Sequence, residues 1–296
     1  MRITRQGRLL LILLCLLLTA TQAQSAYKIG VLAKRGGVKA LEKWGRHGVY
    51  LSESLGTRFI IMPVKFASIP HMVQSQKIDF LLANPAIFAE MQEEYGLQAV
   101  ATMVNRSSGK GVHQFGGVIF VKQDSPVKTL AEIKGKTFGF VKHSSFGGLH
   151  AALHLLQQNG IDPRKDYDHY LELKTHDNVV KAVAKGEVEV GTVRTDTLER
   201  MAGEGKIKME DFRVLNQVED DFPFVHSTEL YPEWPMAVLA HTDKKIAEEV
   251  GKALRQMKPD SLEAQRAHIM GWEKEADYIP VLNCLQAIHY NIFKKK

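Results

Sequence analysis

The sequence predicts an α/β protein of two lobes with a central ligand cleft. Short apolar runs alternate with segments of helical periodicity, the pattern of α/β layers with mostly parallel sheets. The pattern occurs in two units of similar size, and a late strand followed by helices returns the chain to the first unit. We therefore predict lobe 1 from residues 27–115 and 230–296 and lobe 2 from residues 116–229, with two hinge crossings near residues 115–118 and 225–236.

Composition limits the class of protein. The chain has 296 residues, 45% hydrophobic and 24% charged, which excludes a disordered chain and a single small domain. Its net charge of +6 includes three arginines near the N-terminus, and without them 36 basic residues face 33 acidic ones. This scattered surplus argues against a nucleic-acid partner and is compatible with a small anionic ligand.

The N-terminus predicts a signal peptide over residues 1–26. Basic residues 2–8 precede an apolar run at residues 9–18 and then small and polar residues, so we expect cleavage after Ala23 or Ala26. An uncleaved anchor is the alternative, but the run is shorter than the ~20 residues of a spanning helix. We expect an exported, periplasmic protein.

Cleavage would leave Cys284 as the single thiol, which excludes an intrachain disulfide. The prediction for Cys284 is a small buried apolar residue, with a redox role as the alternative.

The first unit begins with a strand at residues 27–32, after which Gly36-Gly37 breaks the chain. An apolar stripe over residues 38–55 predicts a helix that ends at Gly56. Pro85 can open another helix after a buried strand. The remaining predicted elements of this unit are strands at 59–64, 78–83 and 97–104 and helices at 72–76 and 85–95.

The second unit repeats the pattern, and the chain ends with one more strand and helices. Its predicted strands are 118–121, 137–141, 170–173, 188–193 and 212–215, with helices at 130–133, 147–158 and 178–185. The returning part has a predicted strand at 235–240 and helices at 244–257, 261–272 and 278–289.

Polar residues follow several of the predicted strands. Because ligands of open α/β sheets bind beyond the carboxyl ends of strands, these residues are the predicted site. The candidate ligand-binding residues are Arg35, Asn84, His143, Ser144, Ser145, Phe146, His176 and Arg194.

The segment Ser144–Gly148 opens a predicted helix. Free N–H groups, the helix dipole and two hydroxyls beside small glycines suit an anion. Plain N-capping by one serine, without a ligand, is the alternative interpretation. Neither G-x-G-x-x-G nor a P-loop motif occurs, so the segment is not a nucleotide fingerprint.

Two further candidates carry alternatives of their own. Arg194 can offer a planar fork to an oxyanion, or form a salt bridge with Asp196 or Glu199. His176 can donate to an anion, or help to cap the helix that begins there.

His150 and His154 have a spacing that can hold zinc. They lack a third ligand, so we predict a solvated helix face and no metal. No catalytic motif occurs, and we predict neither an enzyme nor a cofactor.

Several of these segments resemble the periplasmic substrate-binding proteins of phosphate, phosphite and phosphonate importers. Residues 127–138 resemble the opening of that family's second lobe, and residues 143–145 fall at its phosphonate-cradling Ser/Thr turn. Residues 176–177 with 186–187 resemble its H-D…G segment. The match covers about residues 27–290.

A narrower resemblance is to the periplasmic sensor domains of tetrathionate-sensing histidine kinases. Its most specific stretches lie around Arg194 and at residues 231–235. The matching segments are residues 30–36, 83–85, 115–120, 191–201 and 227–235. The chain departs from those kinases by ending at Lys296 without a kinase module, so we expect it to present its ligand to a separate membrane protein.

Both resemblances imply a type II periplasmic binding-protein fold and a small oxyanion ligand, either phosphonate- or phosphite-like or a sulfur oxyanion. The first implies an ABC importer with a membrane permease as partner. The alternative is a sensory role with a membrane histidine kinase as partner. An enzyme that uses the cleft is a third hypothesis.

Overall fold

The computed structural model describes residues 26–162 and 170–294. The predicted signal peptide therefore lies, apart from Ala26, outside the described residues. Within the described ranges no helix has the length and apolar character needed to cross a membrane.

Strands occur along most of the described chain. They are β1 (Tyr27–Leu32), β2 (Phe59–Val64), β3 (Phe80–Leu82), β4 (Gln98–Ser107), β5 (Lys110–Val112), β6 (Gln114–Phe115), β7 (Gly117–Lys122), β8 (Phe138–Phe140), β9 (Tyr170–Glu172), β10 (Val190–Arg194), β11 (Phe212–Leu215), β12 (Tyr231–Pro232), β13 (Pro235–Val238) and β14 (Ile269–Glu273).

Helices separate most of these strands. They are α1 (Gly37–Leu55), α2 (Ile69–Gln74), α3 (Pro85–Tyr95), α4 (Ala151–Gln158), α5 (His176–Lys185), α6 (Thr197–Gly203), α7 (Lys244–Arg255), α8 (Leu262–Ala267) and α9 (Ile279–Ala287). A single π-helical turn, Phe146–His150, leads into α4. Short 3-10 turns occupy Phe66–Ser68, Ala131–Ile133, Met209–Asp211 and Asn291–Phe293.

The strands form two large sheets and a small ribbon. A seven-stranded sheet has the order β14-β4-β13-β3-β1-β2, with β5 paired to β4, and a five-stranded sheet has the order β11-β7-β10-β8-β9. The first sheet contains strands from both ends of the described chain, and the second contains strands from its middle. This membership supports the predicted division into lobes, whose boundaries stay a prediction.

The ribbon pairs the two segments that connect the sheets. Strand β6 lies antiparallel to β12, with Phe115 opposite Tyr231 and Gln114 opposite Pro232. Hydrogen bonding between two adjacent crossings gives the connection a defined geometry, as expected of a hinge.

The predicted predominance of parallel pairing is wrong. Strands β1, β2 and β3 pair in parallel, but β13 returns antiparallel to β3 and β4. In the second sheet β8, β9 and β10 are parallel, whereas β7 lies antiparallel to β10 and β11. In each sheet, the first strand that follows a hinge crossing is antiparallel to its neighbour in the parallel set. These two strands are β7 and β13.

The predicted helix at 261–272 is also wrong beyond its first half. Helix α8 stops at Ala267 because His268 adopts a left-handed conformation with φ 53 and caps it. The next residues form β14, which pairs antiparallel with β4. Ile269 and Trp272, which continue the apolar stripe of the helix, instead pack in the core of the first sheet.

A hydrophobic core beneath the hinge includes residues of both units. Phe115, Phe146 and Tyr231 pack in it together with Tyr278 and Cys284. Cys284 is fully buried, as predicted, and burial raises the pKa of its thiol well above the usual range.

The solvated face predicted for His150 and His154 is wrong: the His154 side chain is only 14% exposed and its Nδ1 lies 3.1 Å from the hydroxyl of Tyr231, and the contrast is greater for His150. Its side chain is fully buried, its Nε2 lies 2.6 Å from the carbonyl oxygen of His143, and its ring lies 4.1 Å from that of Tyr290. The contact with the C-terminal segment covers the helix face that the local sequence leaves open.

Candidate anion-binding cleft

Most of the predicted site residues lie where the carboxyl ends of strands from the two sheets face each other. Arg35 follows β1, Asn84 follows β3, and Arg194 ends β10. His176 begins α5, shortly after β9. These strands share a parallel set within their own sheets, so their ends lie at one edge of each sheet.

The turn after β8 brings Ser144 and Ser145 to the start of the π-helical turn. Ser145 occupies the N-cap position, and its side chain makes no capping hydrogen bond. The first N–H groups of a helix have no partner within it, so donors are present at the start of this turn, whose residues Phe146–His150 are buried. The geometry does not support the alternative that a serine side chain caps the helix.

Asn84 reaches this turn from the first sheet. Its Oδ1 accepts a hydrogen bond from the Ile87 N–H at 3.0 Å and caps α3, while its Nδ2 lies 3.5 Å from the carbonyl oxygen of Ser144. The two helix starts therefore face each other across the cleft.

Two glycines allow this turn to pack closely. A Cβ on Gly147 would lie 2.8 Å from the ring of Phe115 and 2.9 Å from Cβ of Arg194. A Cβ on Gly148 would lie 2.7 Å from Oγ of Ser145. Only glycine permits this approach of the turn to Arg194 and the hinge.

Arg194 forms an ion pair with a residue that sequence reasoning missed. Its Nη2 donates to Oε1 of Glu233 at 2.7 Å, and the guanidinium lies 4.5 Å from the ring centre of Phe115. Burial acts to lower the pKa of Arg194, but the carboxylates of Glu233 and Asp196 outweigh it and raise that pKa. Arg194 is therefore a fixed cation in the cleft.

Asp196 lies beside this pair and joins the two sheets. Its Oδ2 accepts a hydrogen bond from Oγ of Ser107 at 2.7 Å, and its Oδ1 lies 3.8 Å from Nε of Arg194. The predicted alternative partner Glu199 instead accepts the N–H of Val225.

Two lysines that were not predicted lie in the same cleft. Solvent reaches Lys34, but surrounding protein, followed by the positive charge of Lys43, lowers its pKa to about 8. Burial likewise lowers the pKa of Lys43 to about 8. Nζ of Lys34 lies 5.1 Å from the centre of the Trp234 ring.

His176 is a neutral donor. Its Nδ1 accepts the N–H of Arg194 at 3.2 Å, so in the neutral ring Nε2 carries the hydrogen. Burial, and then the positive charge of Arg194, lowers its pKa to about 3. The side chain of Thr175, rather than that of His176, caps α5.

Two of the predicted site residues, His143 and Phe146, pack against aromatic rings. The His143 side chain is exposed, and its ring packs 4.9 Å from that of Phe140. Phe146 is buried, with ring centres 6.0 Å from Phe115 and 4.7 Å from Tyr231. Phe146 therefore supports the floor of the cleft from within the core.

The charges in the cleft favour an anion. Arg194, Lys34, Lys43 and Arg35 act on one another electrostatically, and the carboxylates among them are Glu233 and Asp196. Within residues 26–162 and 170–294 no group of three or more His, Cys, Asp or Glu side chains is placed to hold a metal ion.

A signal for the missed residues was present in the sequence. Lys34 directly follows β1 beside the predicted Arg35, and Glu233 lies in the stretch 231–235 that carries the narrower resemblance. Lys43 lies within α1 and has no such signal.

Two α/β units around a cleft, joined by a paired hinge, define a type II periplasmic binding protein. Residues 29–278 match the family model described as ABC transporter, phosphonate, periplasmic substrate-binding protein. The chain belongs to this family.

A curated relative has a sensory function. The chain is 30% identical over 230 residues to the tetrathionate sensor histidine kinase TtrS of Salmonella typhimurium, covering 77% of this chain and 39% of the relative. The chain thus spans about two fifths of the length of that relative.

Solved structures share the fold. A Xanthomonas citri protein bound to ATP matches with a TM-score of 0.71 at 16% identity, covering 90% of this chain and 98% of the other. PhnD1 of Prochlorococcus marinus in complex with methylphosphonate matches with a TM-score of 0.64 at 10% identity, covering 91% and 100%. A binding protein component of an ABC phosphonate transporter from Pseudomonas aeruginosa matches with a TM-score of 0.64 at 16% identity, covering 90% and 87%.

Proposed function

We propose that this protein is an exported, non-catalytic binding protein that captures a small oxyanion in the cleft and presents it to a membrane partner. The observation that carries the proposal is the concentration of cations at the hinge. Lys34, Lys43 and Arg194 act on one another electrostatically there, and the surrounding protein and these like charges lower the pKa of both lysines to about 8. An anion would relieve their mutual repulsion.

Donors from both lobes would hold the ligand. On lobe 2 we assign the start of the π-helical turn with Ser144 and Ser145, Nε2–H of His176, and Arg194. On lobe 1 we assign Asn84, together with Lys34 and Arg35. Charge-assisted hydrogen bonds are roughly twice as strong as neutral ones, so a few of them supply a large part of the affinity.

Binding would also set the angle between the lobes. A ligand that contacts both lobes stabilises the closed form, and only its differential affinity for that form shifts the population. Moving the equilibrium from 1:99 to 99:1 needs about 5.5 kcal/mol. The paired strands β6 and β12 are the hinge for this motion.

The main candidate ligands are phosphonates and phosphite, because the family model is that of phosphonate-binding proteins of ABC importers. The partner is then an ABC permease. A second candidate is a sulfur oxyanion sensed for a membrane histidine kinase, which the similarity to the tetrathionate sensor favours.

Calorimetric titration against phosphate, phosphite, methylphosphonate, sulfate, thiosulfate and tetrathionate tests the proposal. We expect at least one to bind, and Arg194→Lys to weaken it by about tenfold or more because the planar fork is lost. Arg213→Lys is the matched control, since Arg213 lies in the second sheet and donates to carbonyl oxygens of Ser125 and Gln123. Heat from none of the six anions would refute the proposal.

The choice between importer and sensor needs a separate measurement. We expect the liganded protein to stimulate the ATPase activity of a reconstituted permease. Stimulation of kinase autophosphorylation instead would establish the sensory role. Genes for a permease and ATPase, or for a kinase and response regulator, next to the gene for this chain would indicate which pair to test.

A further inference from the structure

The carboxylate of Glu233 is an unusual group for an anion site. It is fully buried, and its Oε1 accepts from Arg194 at 2.7 Å. Its charge also acts on the pKa of Lys34 and Lys43, which places it among the cations of the cleft. A carboxylate here repels any anion that comes close to it.

The second oxygen of this carboxylate has no hydrogen-bond partner within the described part of the chain. Oε2 of Glu233 is buried, and among the residues that the structure describes no hydrogen-bond donor reaches it. A buried polar atom without a partner carries the full cost of its desolvation. The ion pair with Arg194 therefore accounts for only one of the two oxygens.

The main chain holds this side chain in place. The N–H of Glu233 donates to the carbonyl oxygen of His113 at 2.8 Å, and its carbonyl oxygen accepts from the hydroxyl of Tyr278 at 2.7 Å. Glu233 is therefore anchored on both sides, and its free oxygen is a preformed acceptor.

We propose that Glu233 selects ligands that carry a hydrogen-bond donor next to their anionic group, with the donor bound to Oε2. The inference rests on the proposed anion-binding function and narrows its ligand class. Two chemistries share this property, namely an oxyanion that retains a hydroxyl and an anion that bears an amino group. A fully ionised anion without a donor leaves Oε2 unpaired, and the negative charge of Glu233 repels it. A site built for a hydrogen bond discriminates strongly against such a ligand.

Two matched ligand pairs at pH 7 test this selection in the purified protein. Phosphate and sulfate are similar tetrahedral anions, of which phosphate alone keeps a hydroxyl. Taurine and ethanesulfonate differ by one amino group. We expect the wild-type protein to bind the donor-bearing member of at least one pair about tenfold or more tightly, and the responding pair identifies the donor.

Glu233→Gln is the informative variant. The amide oxygen can still accept from Arg194, while the amide nitrogen offers a donor to a fully ionised anion. We expect the preference to disappear or reverse. Glu229→Gln is the matched control, because Glu229 is half-exposed and bonds to Tyr231, and it should leave the preference unchanged.

The outcomes separate this inference from the proposed function. Equal or tighter binding of sulfate, ethanesulfonate, thiosulfate or tetrathionate by the wild-type protein overturns the selection by Glu233 and leaves anion binding intact. A folded Glu233→Gln variant that keeps the wild-type preference also overturns the selection by Glu233 and leaves anion binding intact. If neither these anions nor the phosphite and methylphosphonate of the calorimetric titration bind the wild-type protein, both the proposed function and the selection are refuted. The wild-type comparison stands even if the variant fails to fold.

Discussion

Arg194 and Glu233 form an ion pair that joins the two sheets at the hinge. Arg194 is the last residue of β10, and Glu233 lies between β12 of the hinge ribbon and β13 of the first sheet. The exposed fractions of their side chains are 19% and 0%. The pair therefore links the end of β10 to the segment that follows the hinge ribbon, in a place that water barely reaches.

Removing one partner of this pair should be costly. We expect Arg194→Ala to lower the free energy of unfolding by about 3–5 kcal/mol, because Glu233 is left as a buried, uncompensated charge. Urea unfolding measures the loss. Arg200→Ala is the control: Arg200 pairs with Asp177 near the surface, where side-chain exposures are 36% and 31%, and should cost about 0–1 kcal/mol. Equal losses in the two variants would contradict the argument.

The sequence predicted the elements better than their pairing. Strands β1, β2 and β3 are local apolar runs, so composition reveals them. The direction of β13 is set by the path of the chain through the hinge, which no local pattern records. The apolar residues of strand β14 also fit a helical stripe, so the sequence predicts a helix there, and pairing with β4 decides between the two.

The candidate site was predictable only where its residues follow strand ends. Arg194, His176 and Asn84 each lie just after or at the end of a strand, so their approach to the cleft follows from the fold class. Glu233 lies next to the hinge ribbon, and Lys43 lies inside α1. These two reach the cleft through tertiary packing, which single-sequence patterns do not contain.

Anion binding should be coupled to proton uptake. In the free protein the surrounding protein lowers the pKa of Lys34 and of Lys43 to about 8 each, and a bound anion should raise both. Affinity is then fully present below pH 8 and falls as the pH rises above it, because binding must charge the lysines. Calorimetry at pH 8 in two buffers of different ionisation enthalpy should show net proton uptake, and the same titration at pH 6 almost none.

The variant for this coupling is Lys34→Arg, which stays charged throughout this range. It should reduce the uptake at pH 8. Lys39→Arg is the control, because Lys39 is 66% exposed and pairs with Glu42 on α1. Protons that the anion itself takes up or releases on binding are subtracted from the measured proton uptake. Equal uptake at pH 6 and pH 8 would rule out a role for these lysines.

The close packing of the turn that contains Ser144, Ser145 and Gly148 gives a further prediction. In Gly148→Ala the new Cβ would lie 2.6 Å from Val141 and 2.7 Å from Oγ of Ser145, so the turn must move. We expect a loss of about 1–3 kcal/mol in unfolding free energy, together with weaker anion binding. Gly45→Ala in α1 is the control, since its Cβ meets nothing within 4 Å and should stabilise the helix by about 0.5–1 kcal/mol. A Gly148→Ala protein with wild-type affinity would show that this turn does not bind the ligand.

Glu90 should make stability fall as the pH rises. It is a buried residue of α3 whose Oε1 accepts from Nδ2 of Asn291 at 2.6 Å. Burial raises the pKa of its carboxyl to about 7 in the folded protein, above the value of 4.5 for the free group. The folded state therefore holds the proton more tightly, so stability from this group is present below pH 4.5 and is lost as the pH rises through 7.

The neutral variant Glu90→Gln removes this dependence and retains an oxygen for Asn291. At pH 8 it should exceed the wild-type protein in unfolding free energy by roughly 1–3 kcal/mol, and at pH 4.5 the two should be nearly equal. Glu93→Gln, on the exposed side of the same helix, should change neither value. Urea unfolding at both pH values measures the difference. A gain for Glu90→Gln that is the same at both values would mean that it comes from packing and not from the buried charge.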